Sequence, residues 1–467
     1  MSDIPLTAAW VAAAVAGHIV SGDASRKLDG VSIDTRTIRA GELFIAIRGE
    51  RFDGADFAAA AIEAGAAGVI VPRGTHLAAD DPRRPAVIDV DDTTAALQSL
   101  AHAVRRESGT RVVAITGSAG KTTTKEVTSE FLASRYRVIR NRGNLNNHIG
   151  LPLSLIELRQ RPDIAVVELG MNHAGEISTL VRVAEPDVRV WTNVGEAHLG
   201  FFASTDAIAD AKAEIFERAA PSTVLVANAD DDLIVARLPR YAGRVVTFGI
   251  DRDADVRATA VVDRGIAGTR ARLSTPRGRV DIETPLVGRG NLANILAATA
   301  VAIEFDVPLA VVAERAARLK PASHRGEIVR LASGATVIDD SYNANPTAVT
   351  RALEVLSGAE ASRRIAVLGE MLELGDRAAD LHAAVGRAAA GNRVDLLFTV
   401  GGEPAALLAD AAVGAGMSRD RVRHFATSDQ AADAVAATVR SGDVVLVKGS
   451  RGVKTDRVVD RLKAERA

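Results

Sequence analysis

The residue types best suited to chemistry are concentrated in the stretch Val112 to Glu126, which reads VVAITGSAGKTTTKE. Backbone N–H groups of a glycine turn and a helix N-terminus can hold phosphates, Lys121 can reach the outer phosphates, and the Thr122 hydroxyl can bind Mg²⁺. The usual pattern, G-x-x-x-x-G-K-[ST], requires glycine where this chain has Ile115, so the loop is a shortened variant. An ordinary turn would explain neither the lysine nor the threonines. Seven residues form the predicted nucleotide loop: Gly117, Ser118, Ala119, Gly120, Lys121, Thr122 and Thr123.

Three further ionisable side chains follow or accompany predicted buried elements. Glu168 ends a strand predicted over 164–168, and a carboxylate at that edge of a sheet suits Mg²⁺. His198 follows a strand predicted over 188–193, which favours a catalytic or metal-binding role over a structural one. Lys212 lies near the apolar face of a helix predicted over 206–216. The alternative for Lys212 is a snorkelling lysine whose head reaches water.

Two groups of amides could contact ligands. The loop that carries Asn144, Asn146 and Asn147 either satisfies its own turns or holds a second, polar substrate. Asn291 and Asn294 share one face of a predicted helix and could pair with the edge of a base.

The elements that must position these residues indicate an α/β protein. The phosphate loop requires a buried parallel strand before it and a helix after it, and the strands that follow predict a doubly wound sheet. A boundary is expected at Lys320-Pro321. Beyond it, strands at 336–340, 365–369, 396–400 and 444–447 alternate with helices, which predicts a second doubly wound sheet.

The first 90 residues predict a small α/β module. A helix is expected over 6–17, followed by two short alternating strands at 31–36 and 41–47. Asp34 and Arg36 lie in the intervening turn, where they are either surface residues or ligands.

Composition excludes several classes of protein. A length of 467 residues predicts about two to four domains. The net charge of −2 gives nonspecific nucleic-acid binding no electrostatic basis. The absence of cysteine excludes disulfides, thiolate zinc sites and cysteine nucleophiles, and fits a cytoplasmic protein. No window reaches the ~18 apolar residues of a membrane span, and the N-terminal stretch lacks the basic region of a signal peptide.

The motifs, in chain order, resemble the Mur ligases over roughly residues 31–456: GSAGKTTTKE, NLNNHIGLPLSL, VELGMN, NVGEAHLGFF, AKAEIF, GNLANILAA, SHRGE, DDSYNANP, LGEMLELG and VKGSRG. DDSYNANP and LGEMLELG resemble the branch that adds D-Ala-D-Ala to UDP-MurNAc-tripeptide. The resemblance implies an ATP-dependent, ADP-forming ligase of peptidoglycan precursor synthesis that works through an acyl phosphate. It also implies a cytoplasmic enzyme, which we expect to be a monomer without nucleic-acid or membrane partners.

The family implies three domains. Residues 1–90 would bind the UDP-sugar, residues 91–320 would form the central ATPase with the phosphate loop, and residues 321–467 would form a Rossmann-like lid.

The resemblance also implies roles for individual residues. Lys121 would hold the β- and γ-phosphates, Thr122 and Glu168 would bind one Mg²⁺, and His198 and a carbamylated Lys212 would bind a second. The remaining expected contacts are Asn291 and Asn294 with the adenine, Arg325 with the phosphates, Asp340 with the ribose, Asn144, Asn146 and Asn147 with the muramoyl-peptide end, and Asp34 and Arg36 with the UDP-sugar. Asp210 replaces a second lysine that close relatives often carry, which leaves Lys212 as the carbamate candidate on that helix.

Three alternatives stay open. A sister ligase that adds the third, diamino-acid residue is the nearest, although the Asp-Asn-Pro-Arg run of diaminopimelate-adding members is missing; residues 370–376 form the comparable lid loop. A nucleotide-gated binding protein would need no second metal site. A kinase would have to retain its phosphorylated product.

Overall fold

The computed structural model describes residues 3–77, 85–141, 143–196 and 199–464, so the predicted metal ligand His198 lies outside the described residues. The chain divides into two compact units, which are taken in turn. The first unit comprises Met1–Ala114, Tyr136–Met171 and Gly175–Asp187, and the second comprises Ile115–Arg135, Asn172–Ala174 and Val188–Ala467.

The first unit begins with a five-stranded sheet of order β2-β7-β6-β5-β4, in which β4 to β7 run parallel and β2 pairs antiparallel with β7. All three residues of β5 are buried, as are Leu43 to Ala46 together, so the alternating pattern predicted for 41–47 is wrong. A parallel strand covered on both faces is apolar throughout, which is the physical reason. The elements are β1 (Leu6–Thr7), α1 (Ala8–Ala14), β2 (His18–Ser21), β3 (Lys27–Leu28), β4 (Val31–Ser32), β5 (Leu43–Ile45), α2 (Ala58–Glu63), β6 (Gly68–Pro72) and β7 (Ala86–Val90).

The helix predicted over 6–17 is shorter in the structure, because Leu6 and Thr7 belong to β1. The Thr7 hydroxyl accepts a hydrogen bond from the Trp10 N–H, 3.2 Å away, and so caps the N-terminus of α1.

The rest of the first unit is built around a long helix, α3 (Thr93–Ser108). Asp92 caps its N-terminus, and Gly109 ends it in the left-handed conformation. The helix packs against α5 and α6, and β9 pairs in parallel with β10. These elements are β9 (Val138–Arg140), α5 (Gly150–Ile156), β10 (Ile164–Glu168) and α6 (Glu176–Ala184).

Strand β8 (Arg111–Thr116) leads into the predicted phosphate loop, and α4 (Lys121–Leu132) follows it. In the second unit, β11, β12, β13 and β14 pair in parallel in that order, and β14, β15 and β16 form an antiparallel extension. Thr269, Ala271 and Leu273 of β15 are buried while Arg270 and Arg272 between them are exposed, so this strand has one apolar face and one arginine-rich face. The elements are β11 (Val188–Trp191), α7 (Thr205–Ala213), β12 (Val224–Asn228), α8 (Asp232–Val235), β13 (Arg244–Gly249), β14 (Val256–Asp263), β15 (Thr269–Thr275), β16 (Gly278–Thr284), α9 (Gly288–Glu304) and α10 (Leu309–Ala316).

The second unit also contains the predicted C-terminal doubly wound sheet, of order β17-β18-β22-β19-β20-β21. All its strands run parallel except β17, and buried apolar clusters cover both faces. The elements are β17 (Glu327–Arg330), β18 (Thr336–Asp340), α11 (Pro346–Gly358), β19 (Arg363–Gly369), α12 (Ala378–Gly391), β20 (Leu396–Val400), α13 (Glu403–Gly414), β21 (Val422–Phe425), α14 (Ser428–Ala436), β22 (Asp443–Lys448) and α15 (Asp456–Ala464).

Within the described ranges, every helix is too short or too polar to traverse a bilayer.

Candidate active site

The phosphate loop depends on two glycines with positive φ. Gly117 has φ +150° and Gly120, the residue before α4, has φ +79°. A β-carbon on Gly117 would collide with the Thr192 hydroxyl, and one on Gly120 would collide with the Asn294 amide. Both the backbone conformation and the close contacts therefore require glycine at these positions.

Asn193, which follows β11, fixes the middle of the loop. Its Oδ1 accepts from the Ala119 N–H at 2.8 Å, its Nδ2 donates to the Ala119 carbonyl at 2.9 Å, and its backbone carbonyl accepts from the Ser118 N–H at 3.0 Å. Asn193 was not predicted as a site residue, although a polar Thr-Asn pair at the end of a buried strand is a signal that could have found it.

The N–H groups of the loop therefore divide into two sets. Those of Ser118 and Ala119 are engaged by Asn193, whereas the first backbone bond of α4 runs from Thr124 N to Gly120 O at 2.8 Å. The N–H groups of residues 121–123 lie in the first turn of α4, before that bond. The first turn of a helix is where backbone N–H groups and the positive end of the helix dipole favour a phosphate.

Lys121 is half-buried at the start of α4, and its ammonium donates to the Gly117 carbonyl at 2.7 Å. This contact places the positive charge directly over the loop. Thr122 is also half-buried and Thr123 is buried.

The two asparagines of α9 form a chain of hydrogen bonds against the loop. Asn294 Oδ1 accepts from the Thr124 hydroxyl at 3.1 Å, Asn294 Nδ2 donates to Asn291 Oδ1 at 3.3 Å, and Asn291 Nδ2 donates to the Val287 carbonyl at 2.9 Å. Both residues thus lie beside the start of α4. Their contact with adenine stays a prediction.

Lys212 on α7 is only 1% exposed. The interpretation as a snorkelling lysine is therefore wrong: the head group is inside the protein with the stem. Burial, reinforced by the nearby positive charge of Lys121, moves the pKa of Lys212 well below its usual value. The helix thus carries an amine in an environment that disfavours its charged form.

Helix α7 is anchored by Arg237, whose buried side chain contacts two aspartates of the helix. Its guanidinium pairs with Asp210 at 3.0 Å and Asp206 at 3.2 Å, and donates to the Leu233 carbonyl at 2.9 Å. Asp210 thus has a structural partner in Arg237. The bonds to Arg237 and Arg240 lower the pKa of Asp210.

In the first unit, the structure brings Glu168 and one loop asparagine together. Glu168 is 4% exposed; its Oε1 accepts from Asn146 Nδ2 at 2.8 Å, and its backbone N–H donates to Asn141 Oδ1 at 3.0 Å. Asn147 instead caps α5 by accepting from the Gly150 N–H at 2.8 Å. Asn144 is exposed in the preceding turn. Asn146 is therefore the member of the loop that orients the carboxylate.

Asp34 and Arg36 form an exposed ion pair after β4, with 2.7 Å between carboxylate and guanidinium. The hydrogen bonds from Arg36 lower the pKa of Asp34 to about 2. Both side chains lie at the carboxyl end of a parallel strand, which is where open α/β sheets bind ligands.

The C-terminal part of the second unit contributes Arg325 and Asp340. The Arg325 guanidinium lies over the Tyr342 ring, 4.0 Å from its centroid. Asp340, the last residue of β18, pairs with Lys448 at 2.7 Å. Lys448 is a further residue of this edge that was not predicted as a site residue.

Two contacts link this C-terminal part to the loops of the central part within the second unit. The Gly200 N–H donates to the Glu373 carbonyl at 2.8 Å, and Gly200 and Gly375 lie backbone against backbone. A β-carbon on Gly195 would come within 3.3 Å of the Thr347 hydroxyl and 3.7 Å of the Ser118 β-carbon. The start of α11 therefore lies beside the phosphate loop.

Across residues 3–77, 85–141, 143–196 and 199–464, no group of three histidine, aspartate or glutamate side chains is arranged to hold a metal ion.

Comparison with protein families gives three matches along the chain. The model described as Mur ligase family, catalytic domain, matches residues 27–105; the Mur ligase middle domain matches 115–302; and the model described as Mur ligase, glutamate ligase domain, matches 324–451.

Individual proteins match nearly the whole chain. The UDP-N-acetylmuramoyl-tripeptide–D-alanyl-D-alanine ligase of Bacillus subtilis (strain 168) is 37% identical over 93% of each chain, and that of Escherichia coli (strain K12) is 36% identical over 93% of this chain and 94% of its own. The crystal structure of MurF from Acinetobacter baumannii has a TM-score of 0.89 at 31% identity, covering 99% of this chain and 100% of its own. MurF from Thermotoga maritima in complex with ADP has a TM-score of 0.82 at 29% identity, covering 93% of this chain and 97% of its own.

Proposed function

The chain belongs to the Mur ligase family, and from that premise we propose that it joins D-Ala-D-Ala to UDP-MurNAc-tripeptide in an ATP-dependent, ADP-forming reaction of peptidoglycan precursor synthesis. The observation that carries this proposal is the match at 36–37% identity, over more than nine-tenths of both chains, to ligases named for that reaction. The similarity of the α/β fold to solved MurF structures and the ADP-bound relative agree with it.

The phosphate loop is the proposed ATP site. Residues 117–123 would surround the phosphates, with the first turn of α4 donating N–H groups and Lys121 placed against the β- and γ-phosphates. Support comes from Asn193, which holds the middle of the loop, and from the positive φ and close contacts of Gly117 and Gly120, which admit no side chain at those two positions. Asn291 and Asn294 would lie toward the adenine, Arg325 toward the phosphates and Asp340 toward the ribose.

Two Mg²⁺ ions are proposed as cofactors. Thr122 and Glu168 would hold one, and His198 and a carbamylated Lys212 would hold the other. Hydroxyl, carboxylate and carbamate oxygens are the hard ligands that Mg²⁺ prefers, usually with one or two carboxylates and the substrate phosphates, and His198 would add one imidazole nitrogen. Bound Mg²⁺ would neutralise part of the negative charge on the transferred phosphoryl group. Asn146 supports the first site by orienting Glu168.

The carbamate would form when the uncharged Lys212 amine bonds to the carbon of CO₂ and releases one proton. The product carries a negative charge and two oxygens in place of a cation. Its location supports the assignment: Lys212 is enclosed on a helix that Arg237 holds in place.

The proposed reaction has two steps. The terminal carboxylate of the tripeptide attacks the γ-phosphorus of ATP, the bond to the ADP oxygen breaks, and an acyl phosphate forms. The amine of D-Ala-D-Ala then attacks the acyl carbon, an amide forms, and phosphate leaves with loss of a proton from nitrogen. Lys121 and Arg325 would offset the negative charges gathered in the cleft. The C-terminal domain would cover the active site and exclude water, which would otherwise hydrolyse the acyl phosphate.

The domains would divide the substrates between them. Residues 1–90 would bind the UDP-sugar with Asp34 and Arg36, residues 91–320 would bind ATP, and residues 321–467 would act as the lid. Asn144, Asn146 and Asn147 would lie at the muramoyl-peptide end. We place the enzyme in the cytoplasm, since both ATP and a UDP-linked sugar are highly charged metabolites of that compartment. That it is a monomer stays a prediction.

A panel of amine donors and UDP-linked acceptors, with phosphate release as the readout, tests the function. We expect phosphate release only when UDP-MurNAc-tripeptide and D-Ala-D-Ala are both present with ATP and Mg²⁺. Turnover of a UDP-MurNAc-dipeptide with a diamino acid would instead identify the sister activity. Phosphate release with either substrate alone, or a stable phosphorylated product, would contradict the proposal.

A further inference from the structure

Lys448 and Asp340 end two neighbouring strands of the C-terminal sheet at the same level. The two residues are register partners in the parallel pair β18–β22. Their side chains meet at the carboxyl edge of the sheet, with 2.7 Å between Nζ and Oδ2. The same ammonium donates to the Asn343 carbonyl at 2.9 Å. Lys448 thus joins the end of β18 to the loop that follows it.

The burial of this lysine is not explained by stability alone. Lys448 is 3% exposed and ends a central strand whose other residues from Val444 to Val447 are apolar and buried. Exchanging a buried ion pair for apolar side chains of similar volume is often neutral or stabilising, because two charges no longer lose their hydration. Apolar side chains at both 340 and 448 would avoid that cost, whereas the Lys448 ammonium here donates to two acceptors at once. The ion pair therefore points to a role in orienting the Asp340 carboxylate.

The carboxylate that Lys448 holds has one oxygen left for a ligand. Among the residues that the structure describes, no protein group hydrogen-bonds to Asp340 Oδ1, and about a quarter of the side chain is exposed. A carboxylate fixed through one oxygen presents the other in a defined direction, which suits a hydroxyl donor such as a ribose diol.

Ser450, two residues further on, extends the same arrangement. Its hydroxyl accepts from the Leu372 N–H at 2.9 Å, and its backbone N–H donates to the Glu370 carbonyl at 3.1 Å. The end of β22 is therefore tied to the loop after β19 by Ser450 and to the loop after β18 by Lys448.

We propose that Lys448 is a positioning residue for nucleotide binding: it fixes Asp340 so that Oδ1 accepts from the ribose hydroxyls of ATP or ADP. This inference rests on the proposed role of Asp340. Lys448 itself acts through the carboxylate and does not touch the nucleotide.

Calorimetric titration of the full-length protein with MgADP and with Mg-2′,3′-dideoxy-ADP, which lacks both ribose hydroxyls, tests the proposal. We expect the wild type to bind ADP about tenfold more tightly than the dideoxy analogue, as one or two charge-assisted hydrogen bonds would give. Lys448→Met should weaken ADP about tenfold, leave the analogue unchanged and abolish the preference. Lys448→Arg, which keeps the charge, should retain most of the preference.

Two further variants define the result. Asp340→Asn combined with Lys448→Met should bind ADP no more weakly than the weaker single variant, because both changes remove one interaction. Lys463→Met, at an exposed position of α15, should match the wild type. Circular dichroism checks that each variant is folded, and Lys448→Arg keeps the test decisive if Lys448→Met does not fold.

The proposal is overturned if folded Lys448→Met keeps the preference for ADP, if it loses ADP and the analogue equally, or if the wild type has no preference. The last result would remove the role of Asp340 but not the ligase activity, which phosphate release measures separately. Conversely, an inactive chain that still discriminates the two nucleotides would contradict the proposed function and leave this inference standing.

Discussion

The side-chain amide of Asn294 fills the space that a β-carbon on Gly120 would need. The Asn294 side chain on helix α9 therefore packs directly against the backbone of the phosphate loop at Gly120. Since Gly120 also has φ +79°, a side chain there is opposed both by the backbone conformation and by a neighbour held by two hydrogen bonds.

Gly120→Ala should abolish nucleotide binding while leaving most of the chain folded. Displacement of the loop removes the aligned N–H groups of α4, so we expect ADP affinity to fall about 100-fold or more. Gly109→Ala is the matched control, because Gly109 has φ +69° and a β-carbon there would meet nothing within 4 Å. That variant should lose only about 1 kcal/mol of stability and bind ADP normally. Equal loss of ADP affinity in both variants would refute the steric argument.

Lys212→Met should reduce phosphate release by about 10²–10³-fold, since it removes an anionic oxygen ligand from the site. ADP affinity should change little. The wild type should lose activity in buffer depleted of CO₂ and regain it when bicarbonate is added. Lys125→Met is the control: Lys125 is another buried lysine, 2% exposed, on α4. A wild-type rate indifferent to bicarbonate would argue against the carbamate.

Asn146→Ala should raise the Mg²⁺ concentration for half-maximal activity by about tenfold, because Glu168 loses the amide that orients it. Saturating Mg²⁺ should restore most of the rate. Asn392→Ala provides an amide control just after α12, far along the chain from the loop, where the side chain donates to the Ala388 carbonyl. An unchanged Mg²⁺ profile in Asn146→Ala would show that the contact does not serve the metal.

His382 makes the C-terminal sheet sensitive to acid. Its Nε2 accepts from the Met371 N–H at 2.9 Å, so the ring must be neutral there, and burial lowers its pKa below the usual 6.5. The unfolded chain therefore takes up a proton first as pH falls below 6.5. Stability is fully present above that pH and is lost on acidification until the folded pKa is reached.

Urea unfolding at pH 8, 7, 6 and 5 tests this linkage. The wild type should lose up to about 1.4 kcal/mol per pH unit below pH 6.5 through this group. His382→Leu should be less stable at pH 8 by about 1–3 kcal/mol, because the Met371 N–H loses its acceptor, but its loss of stability on acidification should be smaller. Parallel pH profiles for the two proteins would rule out His382 as the source.

Much of the fold was accessible from sequence because its central strands are buried on both faces. Strands β10, β18 and β20 have the bounds that their apolar runs predict, each closed by a polar residue or turn. Strands β17 and β21 were not predicted, because short, half-exposed strands have no continuous apolar run.

The candidate site was predictable only in part. Glycine spacing identified the phosphate loop, because positive φ and close contacts leave few alternatives to glycine. Asn193 and Lys448 were missed because their importance lies in partners distant along the chain. The burial of Lys212 was missed for a related reason. The helical pattern predicts which face of the helix a side chain lies on, but not how many neighbouring elements cover that face.

The enclosure of Lys212 also selects what can reach its amine. Bulky, charged amine-labelling reagents are shut out of a side chain that is 1% exposed, whereas a small neutral gas molecule can enter through ordinary breathing motions of the fold. Access to Lys212 thus depends on the size of the reagent, and this lysine should be among the last in the chain to react with an amine-labelling reagent in solution.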